Sequence, residues 1–595
     1  MNKNKKTFYI TTPIYYPSGS LHIGHLFSTN LAWVIKNYKT KMNYDVKFLT
    51  GSDEHGQKIE KKAKELKMDN QAYVDMQTSK FIDLWNSYQI DYDFFSRTTN
   101  NEHKECIIKI FNEMLEKKLI YKGLYKGLYS VEDEEFIPET QAIKKDNNFY
   151  HPISNHQLEV IEEESYFFKM KDFTKWISEF FEINPDFIVG QKIMKELKNN
   201  FLEHDLNDLS ITRISFSWGI PIPSDPKHVV YVWLDALFNY ISALGYAQNG
   251  KNYIKYWKEG DEIVHVVGKE ITRFHCIYWP IFLHSLNLRL PSKILAHGWI
   301  ITSEGKMSKS KGNVINPLDL LKDFDPEIIK YYFAAKMSIE NDNVFEKEFI
   351  LQTYNSDLVN TIGNLVSRTL AMIHKNFSQS IKFKETNEEH DLFIIKSINH
   401  HFDLYINHFD QYNINLAFDA MIELARDLNK YIDLTTPWKL TNNLDRLAIV
   451  LNILLNGIYT IAAMLEPVMP NYAKKIQNNG FTIPANGYQS AEFTISDLTT
   501  GLNEFYVVMT TASVDVGFDI AIQVNNLNYP NSSDIKVITT SNLTNSNVDN
   551  FGFAYIGFTV YGNNKFRFRA KNTHTGPLNF NGFRVYHRIP AKIVG

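Results

Sequence analysis

Cysteine is nearly absent, with Cys106 and Cys276 the only two in 595 residues. They cannot build a disulfide framework or an all-cysteine zinc knuckle, and they fit a reducing cytosol. No apolar run approaches the roughly 18 residues a membrane span needs, so no bilayer-crossing segment is expected. Lys3, Lys5 and Lys6 precede a β-rich stretch and not an apolar signal core, so no secretion signal is expected. An excess of positive charge is missing as well. The formal net charge is −4, so contact with nucleic acid would have to come from local patches. The composition, 44% hydrophobic and 22% charged, is that of folded protein. A chain this long exceeds one hydrophobic core and is expected to form about three to five domains.

What is present is strand chemistry alternating with helix chemistry. Thr7 to Thr12 is β-rich, Pro13 to Gly19 is loop-like, and apolar residues from Gly24 to Tyr38 recur at helical spacing. A second strand, Asp45 to Leu49, runs into Thr50-Gly51-Ser52-Asp53-Glu54-His55-Gly56. This order predicts a parallel, Rossmann-type α/β sheet with its ligand crevice at the carboxyl ends of the strands. From Lys118 to Lys227, short aromatic segments (Tyr125 to Ser130, Ser165 to Met170) alternate with a helix near Phe173 to Phe181. That stretch reads as an insertion, because β/α character resumes at His228 to Leu234. Glu262 to Gly268 and Lys293 to Ile301 supply two more strands. Beyond Pro317 helical periodicity dominates to about Lys475, which predicts a helical bundle. From Asn478 the chain is rich in Asn, Thr, Gly and Phe. It alternates with period two in Phe505 to Val508, Asp519 to Val524 and Phe553 to Tyr561, so an all-β, sandwich-like module is expected. The expected division is a discontinuous α/β domain, 1–117 with 228–320; an insertion, 118–227; a connecting segment, 321–350; a helical domain, 351–477; and the β-rich module, 478–595.

Two short blocks carry chemistry. His22-Ile23-Gly24-His25 follows a strand and opens a helix. Histidines there can donate to phosphate oxygens, the helix N-terminus adds partial positive charge, and Gly24 lets a flat ring approach the backbone. Lys306-Met307-Ser308-Lys309-Ser310-Lys311-Gly312-Asn313, preceded by Ser303-Glu304-Gly305, is a lysine loop between glycines that suits a triphosphate. Taken singly, the first is also an ordinary surface turn and the second a solvated basic loop.

Together, in this order, they resemble the paired HIGH and KMSKS signatures of class I aminoacyl-tRNA synthetases. Further blocks resemble the methionyl-tRNA synthetase family: Ile10 to Tyr16, Thr50 to Gly56, Tyr231-Val232-Trp233-Leu234-Asp235-Ala236, and Arg273 to Pro280. The likeness covers about Thr7 to Lys475, and the zinc-free insertion looks most like the mycoplasma-type enzymes. It implies a cytoplasmic ligase that activates L-methionine with ATP and Mg2+ and transfers it to tRNA(Met). It makes 118–227 a connective-peptide domain, 321–350 a stem-contact segment and 351–477 an anticodon-binding domain. Carried over by motif position, His22, His25, Lys306 and Lys309 are catalytic, and Gly24 and Ser308 join them in binding ATP. Asp53 would hold the methionine ammonium. Pro13, Ile14, Tyr16, Trp233, Ala236, Leu237, Tyr240, Ile271, His275 and Trp279 would line the side-chain pocket, where aromatic edges suit a thioether. Plain core packing is the alternative for Trp233 and Trp279. Asn364, Arg368 and Trp438 match the anticodon readers, by stacking and base-edge hydrogen bonds; a buried helix-start residue and an exposed charge are the plainer readings.

One departure stands out. Many relatives carry a cysteine zinc knuckle in the insertion, where this chain has none. His151 and His156 alone make a poor zinc site and read as surface histidines, so no zinc is expected. Other functions considered are a non-catalytic tRNA-binding relative and another class I synthetase. Complete signature blocks argue against the first, and the lack of a large editing insertion or of zinc-binding thiols argues against the second. The tail, 478–595, reads by default as a β module without a ligand. An interaction or glycan-binding sandwich, a dimerisation module and an unrelated joined sequence are its alternatives.

Overall fold

The structure is a computed structural model of the chain. It describes residues 5–130, 135–137, 142–145, 148–152, 155–303, 305–307, 313–377, 381 and 386–477, and beyond these only seven strand backbones between Ile495 and His587. Two compact units emerge. One comprises Met1–Asn355, Tyr405–Asp419 and Pro467–Met469; the other comprises Ser356–Leu404, Ala420–Glu466 and Pro470–Gly595.

The first unit is built on a six-stranded sheet, every neighbouring pair parallel. Its strands are β1 (Thr7–Tyr15), β2 (Asp45–Ser52), β3 (Phe94–Arg97), β4 (Ile188–Val189), β5 (Glu262–Gly268) and β6 (Lys293–His297), in the order β3-β2-β1-β5-β6-β4. Strand order reverses between β1 and β5, which puts the crevice at their carboxyl ends. Phe8, Tyr9 and Ile10 are fully buried, as helices on both faces require. Pro13 has no N–H to give the ladder. The register of β1 on β2 accordingly shifts between Thr11 and Ile14, a bulge that lets the strand continue to Tyr15.

The insertion holds more sheet than its short aromatic segments suggest. Ile120–Ser130 pairs antiparallel with Gln157–Phe168 over nearly its whole length. Alternation is obscured there because glycines and charges share the strands. Ile188–Val189, from within the insertion, joins the central sheet as an edge strand. Cys106 and Cys276 are free and buried in the core.

The second unit is helical, with Asn364–Asn376 and Leu444–Leu465 among its helices. Leu444–Leu465 is long and apolar enough to cross a membrane by length and composition, contrary to the expectation from sequence, but it is mostly buried inside the bundle. Its apolarity is that of a core helix. Of residues 478–595, where an all-β module is expected, only strand backbones are described, and they do not establish such a module.

A buried ion pair braces the bundle. Asp391 is 0% exposed, accepts from Arg446 (2.8 Å) and Tyr431 (2.6 Å), and also from Thr386 (2.6 Å). Burial alone would raise its pKa, but these hydrogen bonds, Arg446 foremost, hold it below the ordinary value. Its stabilising effect is therefore complete above the unfolded carboxylate value of about 3.9 and fades as pH falls through the lower folded value. Asp391→Ala, which strands the guanidinium, is expected to cost about 3 kcal/mol near neutral pH. Chemical denaturation of the two chains would check this, and equal midpoints would contradict it.

Candidate active site

The His22 block sits at the crevice, where β1 hands over to α1 (Ile23–Lys41). His22 caps that helix with its ring: Gly24 N–H donates to His22 Nδ1 at 3.0 Å, and His22 N–H donates to His25 Nδ1 at 2.9 Å. Since each Nδ1 accepts, each neutral imidazole carries its proton on Nε2 and presents a donor there. The rings lie 3.9 Å apart, and Tyr15 packs edge-on against His25 at 5.0 Å. Gly24 is needed for a reason the sequence does not reveal. A Cβ there would stand 2.8 Å from His22 Cε1, so only glycine leaves room for the cap. Ser28, one turn on, hydrogen-bonds His297 at the end of β6 (2.6 Å).

The lysine loop leaves and returns at this point. Ile300–Thr302 pairs antiparallel with Gly305–Lys306, with Gly305 at a φ of 95° that favours glycine. After the loop, Ile315 accepts a hydrogen bond from Ile23 N–H at 3.2 Å, tying the returning chain to the start of α1. Ser308 and Lys309 lie outside the described residues, and Lys306 is described in its backbone alone.

The loop after β2 is pinned by its backbone. Asp53 N–H donates to Tyr15 O (3.0 Å), Glu54 N–H to Thr98 Oγ1 (2.9 Å) and Gly56 N–H to Trp218 O (3.0 Å). Gly51 is close-packed, since a Cβ there would lie 2.1 Å from Ser96 O. Asp53 is 7% exposed. Burial above all, with smaller contributions from Tyr15 and the Asp53 charge, raises the pKa of the Tyr240 phenol.

Tyr240 belongs to a buried cluster of aromatic rings and imidazoles. Its hydroxyl bonds His275 Nε2 (2.7 Å), and His275 Nδ1 bonds Ile271 O (3.0 Å). The carbonyl can only accept, so Nδ1 carries the proton and Nε2 accepts from the phenol. Trp233 stacks on Phe274 at 3.5 Å and meets His275 edge-on at 6.3 Å. Ile14, Trp233 and Ile271 are partly buried against a core containing Leu237, Tyr240 and Trp279, and Ala236 and Pro13 are buried. Trp279 is 0% exposed and packed between Phe238 and Tyr240, the plain core packing that is its alternative reading. Tyr16 packs elsewhere, with Ile59, Tyr73 and Trp218.

Two polar hubs escape sequence reading. His265, on β5, accepts from Trp279 Nε1–H (3.2 Å), lies 2.7 Å from Thr11 Oγ1 and stacks on Tyr240 at 4.2 Å. Asp235, fully buried, touches His55 Nδ1 and His103 Nε2, each at 2.6 Å. A lone polar residue in an apolar strand was the only signal for His265, and nothing singled out His103.

In the second unit, Asn364 and Arg368 are exposed on one helix. The Arg368 guanidinium lies 5.9 Å from the Trp438 ring and pairs with Asp433 (2.9 Å). Trp438 is 49% exposed, which rules out a buried helix-start role. Thr436, two residues before it, has a φ of 41°, a rare state for a β-branched residue.

In the insertion, His151 is 5% exposed and so is not the surface residue expected; its N–H donates to His156 O (2.8 Å). Among the described residues, Glu164, Asp225 and His228 bring possible metal ligands within 4.8 Å of one another. Lys122 Nζ already bridges Glu164 (2.9 Å) and Asp225 (2.7 Å), so the trio is a protein ion-pair network.

Known proteins share this architecture. A family model described as tRNA synthetases class I (M) matches residues 8–147 and 147–370, and one for the anticodon-binding domain of tRNA ligase matches 391–527, past the composition change near Gln477. The chain is 54% identical over 489 residues to the methionine–tRNA ligase of Mycoplasmopsis pulmonis, covering 82% of this chain and 94% of the relative. It is 42% identical over 483 residues to that of Ureaplasma parvum, covering 80% and 92%. The Mycobacterium tuberculosis methionyl-tRNA synthetase in complex with methionyl-adenylate aligns with a TM-score of 0.76 at 32% identity, over 79% of this chain and 93% of that one.

The buried imidazoles make stability depend on pH. Burial pushes His275 down to about 4 and His265 well below its ordinary value. Between about 6.5 and 4 the unfolded chain binds protons that the folded chain refuses, so stability is full above about 6.5 and falls on acidification. His275 alone is expected to contribute a loss of about 2 kcal/mol near pH 5. Urea midpoints across that range check it, and His275→Gln should make the slope shallower.

Proposed function

The chain belongs to the methionine–tRNA ligase family of class I tRNA synthetases, and from that premise we propose how its own residues divide the work. It is an aminoacyl-tRNA ligase: it joins L-methionine to the 3′ end of tRNA(Met) by way of methionyl-adenylate. The observation that carries the proposal is the double imidazole cap of α1, with two Nε2–H donors beside a helix N-terminus and the root of the lysine loop.

In the proposed mechanism the methionine carboxylate attacks the α-phosphate of ATP in line, and pyrophosphate leaves. Mg2+ travels with ATP as part of that substrate. Little covalent chemistry is asked of the protein, so positioning and charge stabilisation supply the rate. His22 and His25 donate from Nε2 to the reacting phosphate, supported by the dipole of α1. Lys306, Ser308 and Lys309 meet the departing pyrophosphate, and Gly24 keeps the His22 cap in place. Asp53 pairs with the methionine ammonium. Pro13, Ile14, Trp233, Ala236, Leu237, Tyr240, Ile271 and His275 surround the side chain, with Trp279 behind them; Tyr16, packed against Ile59 and Tyr73, stays outside this set. A neutral His275 lets Tyr240 turn its oxygen toward a thioether without a buried charge. The tRNA 3′ hydroxyl then attacks the activated carbonyl.

Asn364, Arg368 and Trp438 read the anticodon, Trp438 by stacking a base, which contributes about 1–3 kcal/mol. We assign 1–117 with 228–320 to catalysis, 118–227 to the connective insertion, 321–350 to stem contact and 351–477 to anticodon binding, in the cytoplasm and without zinc. Residues 478–595 are proposed as a β-rich segment dispensable for activation.

ATP–pyrophosphate exchange across all twenty amino acids, on the full chain and on a chain ending at Lys475, tests this reading. Exchange with methionine alone in both is expected; exchange by neither, with folded protein, would overturn it. Lys309→Ala and Gly24→Ala should each lower exchange by at least roughly 100-fold in kcat, losing donors made for the transition state, with methionine KM nearly unchanged. Unchanged exchange in either variant would remove that residue from the mechanism.

A further inference from the structure

Asp235 has no part in the roles assigned above. It is a buried carboxylate in the helix α2 (Val232–Leu237), 0% exposed, between Trp233 and Ala236. No lysine or arginine accompanies it among the described residues. Its two oxygens are instead divided between two imidazoles, His55 Nδ1 at 2.6 Å and His103 Nε2 at 2.6 Å, and His103 Nδ1 continues to Ser242 Oγ at 2.7 Å. Burial opposes its ionisation, but the two histidines outweigh burial and hold its pKa below the ordinary value.

The protons follow from this. An ionised carboxylate only accepts, so both rings donate to it. His55 therefore has its proton on Nδ1, and in the neutral ring Nε2 keeps an in-plane lone pair. Among the described residues no group hydrogen-bonds His55 Nε2, although the ring is 2% exposed; Trp218 meets the ring only edge-on, at 5.5 Å. The backbone around it is pinned at Asp53, Glu54 and Gly56. Ring rotation is the freedom left to His55, and Asp235 removes it.

We propose that Asp235 is a positioning residue for the amino-acid subsite, turning His55 so that Nε2 accepts a hydrogen bond from the substrate's primary ammonium beside Asp53. The inference rests on the assignment of Asp53 to that ammonium. An ammonium has three N–H donors, and a neutral acceptor serves one of them without adding a second repelling charge next to Asp53. The bridge also joins the two segments that hold opposite ends of the amino acid, the Asp53 loop and the Trp233 helix.

The test is methionine-dependent ATP–pyrophosphate exchange by the full chain and four variants, with thermal melting of each. In Asp235→Asn the charge is lost but the hydrogen bonds can close, because His103 can change tautomer against the Ser242 hydroxyl. His55→Asn keeps an N–H where Nδ1 stood and loses Nε2, and His55→Gln places an amide near Nε2. Asp235→Asn and His55→Asn should each raise methionine KM by roughly 10- to 100-fold, the loss of one hydrogen bond to a charged group, with kcat and ATP KM within about threefold. His55→Gln should recover part of the loss. Wild-type methionine KM in His55→Asn would overturn the inference and reduce the bridge to a structural brace. A parallel fall of kcat and melting temperature without a methionine KM change would do the same. Should Asp235→Asn fail to fold, the two His55 variants decide alone. Asp53→Asn separates the premises: unchanged methionine KM there sinks the ammonium assignment itself, whereas a raised KM there with a normal one in His55→Asn sinks only the role of Asp235.

Discussion

The start of a helix leaves backbone N–H groups without partners, and the way this chain satisfies them at α1 sets the rest of the site. A serine or aspartate would cap more strongly. Here Gly24 N–H and His22 N–H turn to imidazole Nδ1 atoms, and Ile23 N–H turns to Ile315 O on the chain returning from the lysine loop. Three demands of the backbone thus fix two ring orientations and one loop root. The same bonds decide that both rings present N–H outward. Gly24 has to be glycine because the capping ring occupies the space of its Cβ.

Around this start a buried cluster is kept polar in its hydrogen bonds while its imidazoles stay neutral. Tyr240, His275, His265 and Trp279 form a connected set in which each donor meets an acceptor. Protonating His265 would bring a second N–H against that of Trp279, so burial and geometry demand the same neutral ring. A satisfied polar network of this kind specifies one arrangement of the wall, since any slip leaves a buried donor unpaired. The charges present, Asp53 and Asp235, stand on the loop after β2 and the helix facing it. The strained Thr436 and the exposed Trp438 show the same economy in the helical unit, where an unfavourable backbone state presents a ring to solvent.

Much of this was legible in the chain alone. The central strands β1, β2, β5 and β6 each read as short β-rich runs near their observed positions, and the helix after Gly24 followed its apolar spacing. The His22–His25 pair was legible because a cap and its partners lie within four residues, so local sequence contains the whole interaction. The insertion was less so: glycines and charges interrupt its strands, and Ile188–Val189 reveals itself as an edge strand only by pairing with β6. His151 looked exposed because a lone histidine in a polar stretch carries no local sign of the burial it has in the fold. Helix Leu444–Leu465 carried its apolar character openly, but the run-length criterion missed it because Asp445, Arg446 and asparagines break the stretch.

By itself, then, the sequence determined the order of strands and helices and the signature blocks at the crevice. Those properties are local or periodic, and periodicity survives without a partner. Only the tertiary structure decided that Asp235 would lie between His55 and His103, that His265 would take the Trp279 N–H, and that Trp279 would be fully buried between Phe238 and Tyr240. Each joins segments far apart in the chain, and which proton sits on which nitrogen depends on a neighbour that a parallel sheet brings close only when its crossovers are complete.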